Sequence, residues 1–201
     1  MRLVLACALA AVLSGHAWAE DRPAKATLTV LLQFDGDHSD ATLQEMKREV
    51  SAIMGRSGLV FEYKLRSELA ETATPSDLVV VKFRGRCRMD NLPPLLDERG
   101  PFAITRITDG TILPYSEVAC DRIRRSIRPV MNGDDLKRGD VVMGRALGRV
   151  VAHEIYHMVG KTEKHGTSGT AKPAISGAQL IASELGFDPG DIEKLHRHDR
   201  R

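Results

Sequence analysis

One stretch of the chain limits what the rest can become. Val142, Ala146, Leu147, Val150, Val151, Ile155, Met158 and Val159 recur at helical spacing, an apolar face running through about five turns of α-helix. A face that broad must be buried, so the remaining chain has to supply a sheet or further helices to cover it. The same stretch holds His153, Glu154 and His157 in "HEIYH". On a helix the two histidines stand about 40° apart and one turn apart, a placement that suits two ligands on one small cation. Glu154 is turned about 100° away, where it can stand beside a cation without binding it and accept a proton from a water molecule. Gly160 reads as a left-handed helix stop.

A catalytic zinc usually takes three protein ligands and keeps one position open. The third ligand must come from outside the helix, and His165 follows Gly160 in the polar loop "KTEKHG", which can fold back. The favoured set is His153, His157 and His165 on one catalytic zinc ion, with Glu154 as general base. Such an ion would polarise a carbonyl and bring the pKa of a water molecule to about 7. Glu184, on the next expected helix, is the alternative third ligand and would make a two-histidine-one-glutamate site. Glu163 has little chain with which to swing, while His38, His196 and His198 read as surface groups. The plain alternative is a buried helix that happens to contain two histidines.

"HEIYHMVGKTEKH" resembles the zinc-dependent metallopeptidases of the metzincin type, with His153, Glu154, His157 and Gly160 in register. It departs after that. The family's third histidine falls at position 163, which is Glu here, and His165 comes two residues later; no methionine follows His165 to form the family's methionine turn. The resemblance covers about residues 141 to 166 and implies a metzincin-like fold and hydrolysis of peptide bonds.

Upstream, the pattern reads as α+β. Ala26 to Phe34, Leu59 to Leu65, Asp77 to Gly85 and Phe102 to Thr108 are expected strands, and a helix capped by Ser39 or Asp40 carries Leu43, Met46, Val50, Ile53 and Met54. This predicts a mixed sheet with a helix packed on one face. Pro114 suits an edge, so Thr111 to Glu117 is read as an edge strand along which a peptide substrate adds. Residues 90 to 100, with Pro93 and Pro94, read as a loop, and "NGDDLKRGD" as an exposed connection. "CDRIRRSIRPVM" suggests a short helix, and Ser176 to Leu185 and Pro189 to His198 two closing helices. Tyr115 and Tyr156 are candidate oxyanion donors, with a packing role the simpler reading of each.

The first 19 residues begin with Arg2, run apolar from Leu3 to Leu13 and end in Ala17-Trp18-Ala19. They read as a signal peptide cut after Ala19 rather than a membrane anchor, since the run is short for a bilayer and no second one follows. Lipid attachment at Cys7 would leave almost no apolar segment ahead of it. Residues 20 to 201 are then expected to form one secreted or periplasmic domain with no stable membrane insertion. Cleavage removes one of 29 basic residues and none of the 27 acidic ones, so the mature chain stays near neutral. That balance gives no support to nucleic-acid binding, and the clusters Arg84, Arg86, Arg88 and Arg122, Arg124, Arg125, Arg128 read as solvated faces. Cys87 and Cys120 remain as a pair expected to form a disulfide in an oxidising compartment, in preference to Cys87 as a thiolate blocking a metal.

The leading expectation is a secreted zinc metallopeptidase acting on a peptide or protein. The competing one is a noncatalytic exported protein that binds a metal or a partner on an inactivated peptidase fold.

Overall fold

The computed structural model of the chain describes residues 26–68, 77–91 and 99–198, with side chains as far as 195. The expected signal peptide with Cys7, the pair Pro93 and Pro94, and the side chains of His196 and His198 lie outside the described residues.

Five strands form one sheet: β1 (Thr27–Phe34), β2 (Val60–Leu65), β3 (Leu78–Arg84), β4 (Ala103–Thr108) and β5 (Thr111–Ala119), in the order β2-β1-β3-β5-β4. The first four strands in that order pair in parallel, and β4 runs antiparallel to β5 at one edge. Helix α1 (Asp40–Met54) connects β1 to β2; the hydroxyl oxygen of Ser39 caps it by accepting from the Thr42 amide at 3.1 Å. Its face of Leu43, Met46, Val50, Ile53 and Met54 is buried, as the helical spacing requires. After β5 come α2 (Cys120–Ile127), the short α3 (Gly133–Lys137), the long α4 (Gly139–Gly160), α5 (Gly177–Ile181) and α6 (Pro189–His198). The architecture is α+β, a mixed sheet with α1 packed against the long α4.

Several expectations change. Thr111 to Glu117 is not an edge: β5 lies between β3 and β4, and β4 is the edge strand. Pro114 fits an interior strand because the β3 pairing begins at Tyr115, while the β4 pairing skips from Ser116 to Ile112, so no ladder there needs its missing N–H. The stretch "NGDDLKRGD" is largely exposed as expected, and within it lies the short α3, held by a capping box between Asn132 and Asp135. The arginine clusters are not merely solvated: Arg86 and Arg124 are buried, and Arg124 pairs with Asp90 and Asp121. Finally, α4 stops one residue later than a Gly160 turn implies. Gly160 is its last helical residue, and Lys161 takes the left-handed conformation at φ 44°.

Two devices seat α4 against α1. A Cβ on Gly144 would come within 2.5 Å of the Thr42 carbonyl, and one on Gly148 within 2.6 Å of Glu49 Cβ, so the two helices touch at spacing only glycine allows. Beside them Arg149, 1% exposed, donates to Glu49 at 2.8 Å and to the carbonyls of Gln179 and Ala182 at 2.6 and 2.7 Å. Those two carbonyls would otherwise serve a continuing helix. Their capture by Arg149 explains why α5 is one turn long where the sequence suggested a helix to Leu185. A disulfide joins the buried Cys87 and Cys120, tying the loop after β3 to the first residue of α2, so Cys87 is not available as a thiolate ligand.

Candidate metal centre

His153, Glu154 and His157 project from the last two turns of α4, on the side facing edge strand β4 and the loop that follows the helix. The structure brings His165 to them: one ring nitrogen from each of His153, His157 and His165 lies within 4.8 Å of the others. The His165 ring stands 5.2 Å from His153 and 4.8 Å from His157, centroid to centroid. His157 is buried, His153 partly so and His165 exposed.

The loop that follows α4 sets how the helix pair is protonated. His153 Nδ1 lies 2.7 Å from the Thr170 carbonyl and His157 Nδ1 2.6 Å from the Thr162 carbonyl. A carbonyl oxygen only accepts, so each Nδ1 carries the hydrogen and each Nε2 presents a lone pair. Those two Nε2 atoms face each other at 3.0 Å. Two lone pairs at that distance repel unless a cation or proton lies between them. About 3.3 Å separates two nitrogens bound tetrahedrally to zinc, so little movement would let both bind one ion. Both helix histidines also have the carbonyl partner that metal-binding histidines usually have. The donor set thus fits a zinc-type ion.

Burial drives the electrostatics. Desolvation, aided by His157 and His165 and opposed by the Thr170 carbonyl, pushes the His153 pKa down to about 4. His165 is lowered for the same first reason, with His157 adding to it. Both shifts keep the His153 and His165 imidazoles neutral, the form that binds metal. Glu154, 5% exposed, is raised by desolvation and restrained mainly by the Thr105 hydroxyl. Its Oε2 accepts from Thr105 Oγ1 at 2.6 Å and Ser116 Oγ at 3.1 Å. Both hydroxyls address the same oxygen, and the Thr105 backbone adds a further hydrogen bond to the carboxylate.

Thr105 and Ser116 were not singled out from sequence. A signal existed for Ser116, a polar residue in the buried phase of β5 between Ile112 and Val118. None existed for Thr162 and Thr170, which act through their backbone. Three further candidates do not join the histidine cluster. Glu184 lines a separate cavity with Arg48 and Arg56; the His38 ring stacks on Phe34 at 4.0 Å, with its backbone bridged to Cys87. Glu163 lines the cleft without joining the histidine cluster. Neither tyrosine faces the cleft. Tyr156 is fully buried, stacked on Phe187, and its hydroxyl supports the Lys164 carbonyl. The Tyr115 hydroxyl is engaged by Glu117. The cleft itself, about 400 Å³, runs between β4 and the His165 loop.

Among the described residues no helix is long and apolar enough to cross a membrane. No protein-family model matches the chain. No curated protein matches it either. Among solved structures, the chain is similar to the crystal structure of archaemetzincin from Methanopyrus kandleri, with a TM-score of 0.52 and 14% sequence identity, over 90% of this chain and 98% of that one. At that identity the likeness is one of fold.

Proposed function

We propose that this chain is an exported zinc metallopeptidase, with residues 1–19 removed as a signal peptide and residues 20–201 forming its one domain. His153, His157 and His165 hold the ion, and Glu154 is the general base. The observation that carries the reading is the pair of Nε2 lone pairs facing each other at 3.0 Å, fixed by two backbone carbonyls, with a buried carboxylate next in sequence. A purely structural metal site does not require that carboxylate.

A zinc ion held there supplies Lewis acidity, which polarises a peptide carbonyl and makes water acidic enough to lose a proton near neutral pH. Glu154 takes that proton while the Thr105 and Ser116 hydroxyls hold its Oε2, and passes it to the departing amine. Among the described residues the outer edge of β4 has no strand paired to it, so a peptide adds there as an extra strand without demanding a particular sequence.

The test is Glu154→Gln in the full chain. Peptide hydrolysis should fall by about 10²- to 10⁴-fold, with zinc content unchanged by elemental analysis. Equal activity in wild type and variant, each with zinc bound, would instead favour a noncatalytic metal-binding protein.

A further inference from the structure

A second cavity opens beside the cleft and shares His153 and Glu154 with it. At about 220 Å³ it is smaller than sites that enclose a whole small-molecule ligand, and suits one side chain. Its walls are apolar: Phe102 and Ala103 from the start of β4, Val150 from α4, and Pro173 and Ile175 from the loop beyond the His165 turn. The cationic side chain lining it is Lys172. Lys172 is half-buried, yet among the described residues it has no hydrogen bond or ion pair. The nearest carboxylate in the lining, Glu154, already has its Oε2 engaged by Thr105 and Ser116.

An unpartnered lysine in the lining of an apolar slot is complementary to a carboxylate on a short aliphatic stem. The methylenes lie against Phe102, Val150 and Ile175 and the carboxylate meets Lys172. We propose that this pocket selects a glutamate side chain of the peptide, close to the bond at His153 and Glu154, with Lys172 as the specificity-determining residue. A neutral pocket of this shape would take leucine or methionine equally well. Lys172 shifts the choice toward an acid and rejects lysine and arginine by like charge. The proposal rests on the peptidase reading for its substrate class.

Peptides amidated at the C-terminus, differing only in a Glu, Gln or Lys moved one position at a time, separate the two. Binding is read by fluorescence anisotropy on the zinc-loaded full chain carrying Glu154→Gln, and cleavage on the chain with Glu154 intact. At one position of the scan Glu should bind about tenfold more tightly than Gln. K172Q should remove that preference and K172E should reverse it in favour of Lys, an inversion that a misfolded variant cannot produce. A flat scan, an order untouched by K172E, or a preference that appears only with free C-terminal carboxylates overturns the proposal. Cleavage without any acidic preference overturns it while the peptidase reading stands. Acid-selective binding without cleavage leaves the pocket and removes the peptidase.

Discussion

The centre is assembled from two unlike parts. His153, Glu154 and His157 ride on α4, whose seat against α1 is fixed by two glycine contacts and the Arg149–Glu49 pair. His165 and Thr105 arrive on a loop and on an edge strand, and His165 has no hydrogen bond to its ring among the described residues. The helix pair is therefore oriented before any ion binds, whereas His165 closes the site from an exposed position. Pre-organisation belongs to the helix, and adjustment belongs to the loop.

The largest effect follows directly. His157→Ala removes a buried ligand whose partner, His153, then faces empty space, and zinc retention after dialysis should be lost. His165→Ala should weaken zinc binding while leaving measurable affinity, since two oriented imidazoles remain. Isothermal titration with zinc ranks the two variants; equal losses would mean that the loop is as pre-organised as the helix.

Next is the seat of the helix. Arg149→Met leaves Glu49 buried beside Arg48 at 3.9 Å and strands two carbonyls that α5 no longer uses. Breaking a buried pair from one side costs about 3–5 kcal/mol, and the remaining Arg48 favours the low end. Chemical denaturation of the zinc-free chain measures it. Gly148→Ala pushes a methyl toward Glu49 Cβ and the Met46 carbonyl, with an overpacking cost of about 1–3 kcal/mol. If either substitution leaves stability unchanged, α4 is not seated as described.

The same division marks what could be read from sequence. The apolar periodicity of α4 and the four-residue spacing of its histidines were legible because a helix converts spacing directly into direction. The strands were legible from their β-rich runs bounded by turn residues, as in Ala26 to Phe34 and Phe102 to Thr108. The edge was misplaced because one proline looked like an edge signal, while a skip in the β4 pairing absorbs it. The helix stop was assigned to Gly160, though Lys161 takes the left-handed turn. The carbonyls of Thr162 and Thr170, which fix both imidazole tautomers, left no trace, because any residue type offers the same carbonyl. Helix-borne chemistry is written in side-chain order, and loop-borne chemistry depends on a backbone path that side chains specify only collectively.

The smallest predicted effect lies on the strand. Thr105→Val keeps the shape of the side chain and removes one of the two hydroxyls on Glu154 Oε2, leaving Ser116. Ser116 Oγ also lies 3.2 Å from the Ile104 carbonyl, and a single hydroxyl hydrogen cannot serve both acceptors fully. Without the Thr105 hydroxyl the carboxylate keeps the Thr105 backbone hydrogen bond and a shared anchor on Ser116, so its orientation toward the proton it must take loosens. The expected loss is about tenfold in kcat, equivalent to roughly 1.4 kcal/mol, with KM and zinc content unchanged, because neither the substrate strand nor the imidazoles lose a contact. Thr105→Ser restores the hydroxyl and should recover most of the rate. A Thr105→Val defect that appears in KM, or that Thr105→Ser does not rescue, would assign Thr105 to the shape of the edge strand and leave the base held by α4 alone.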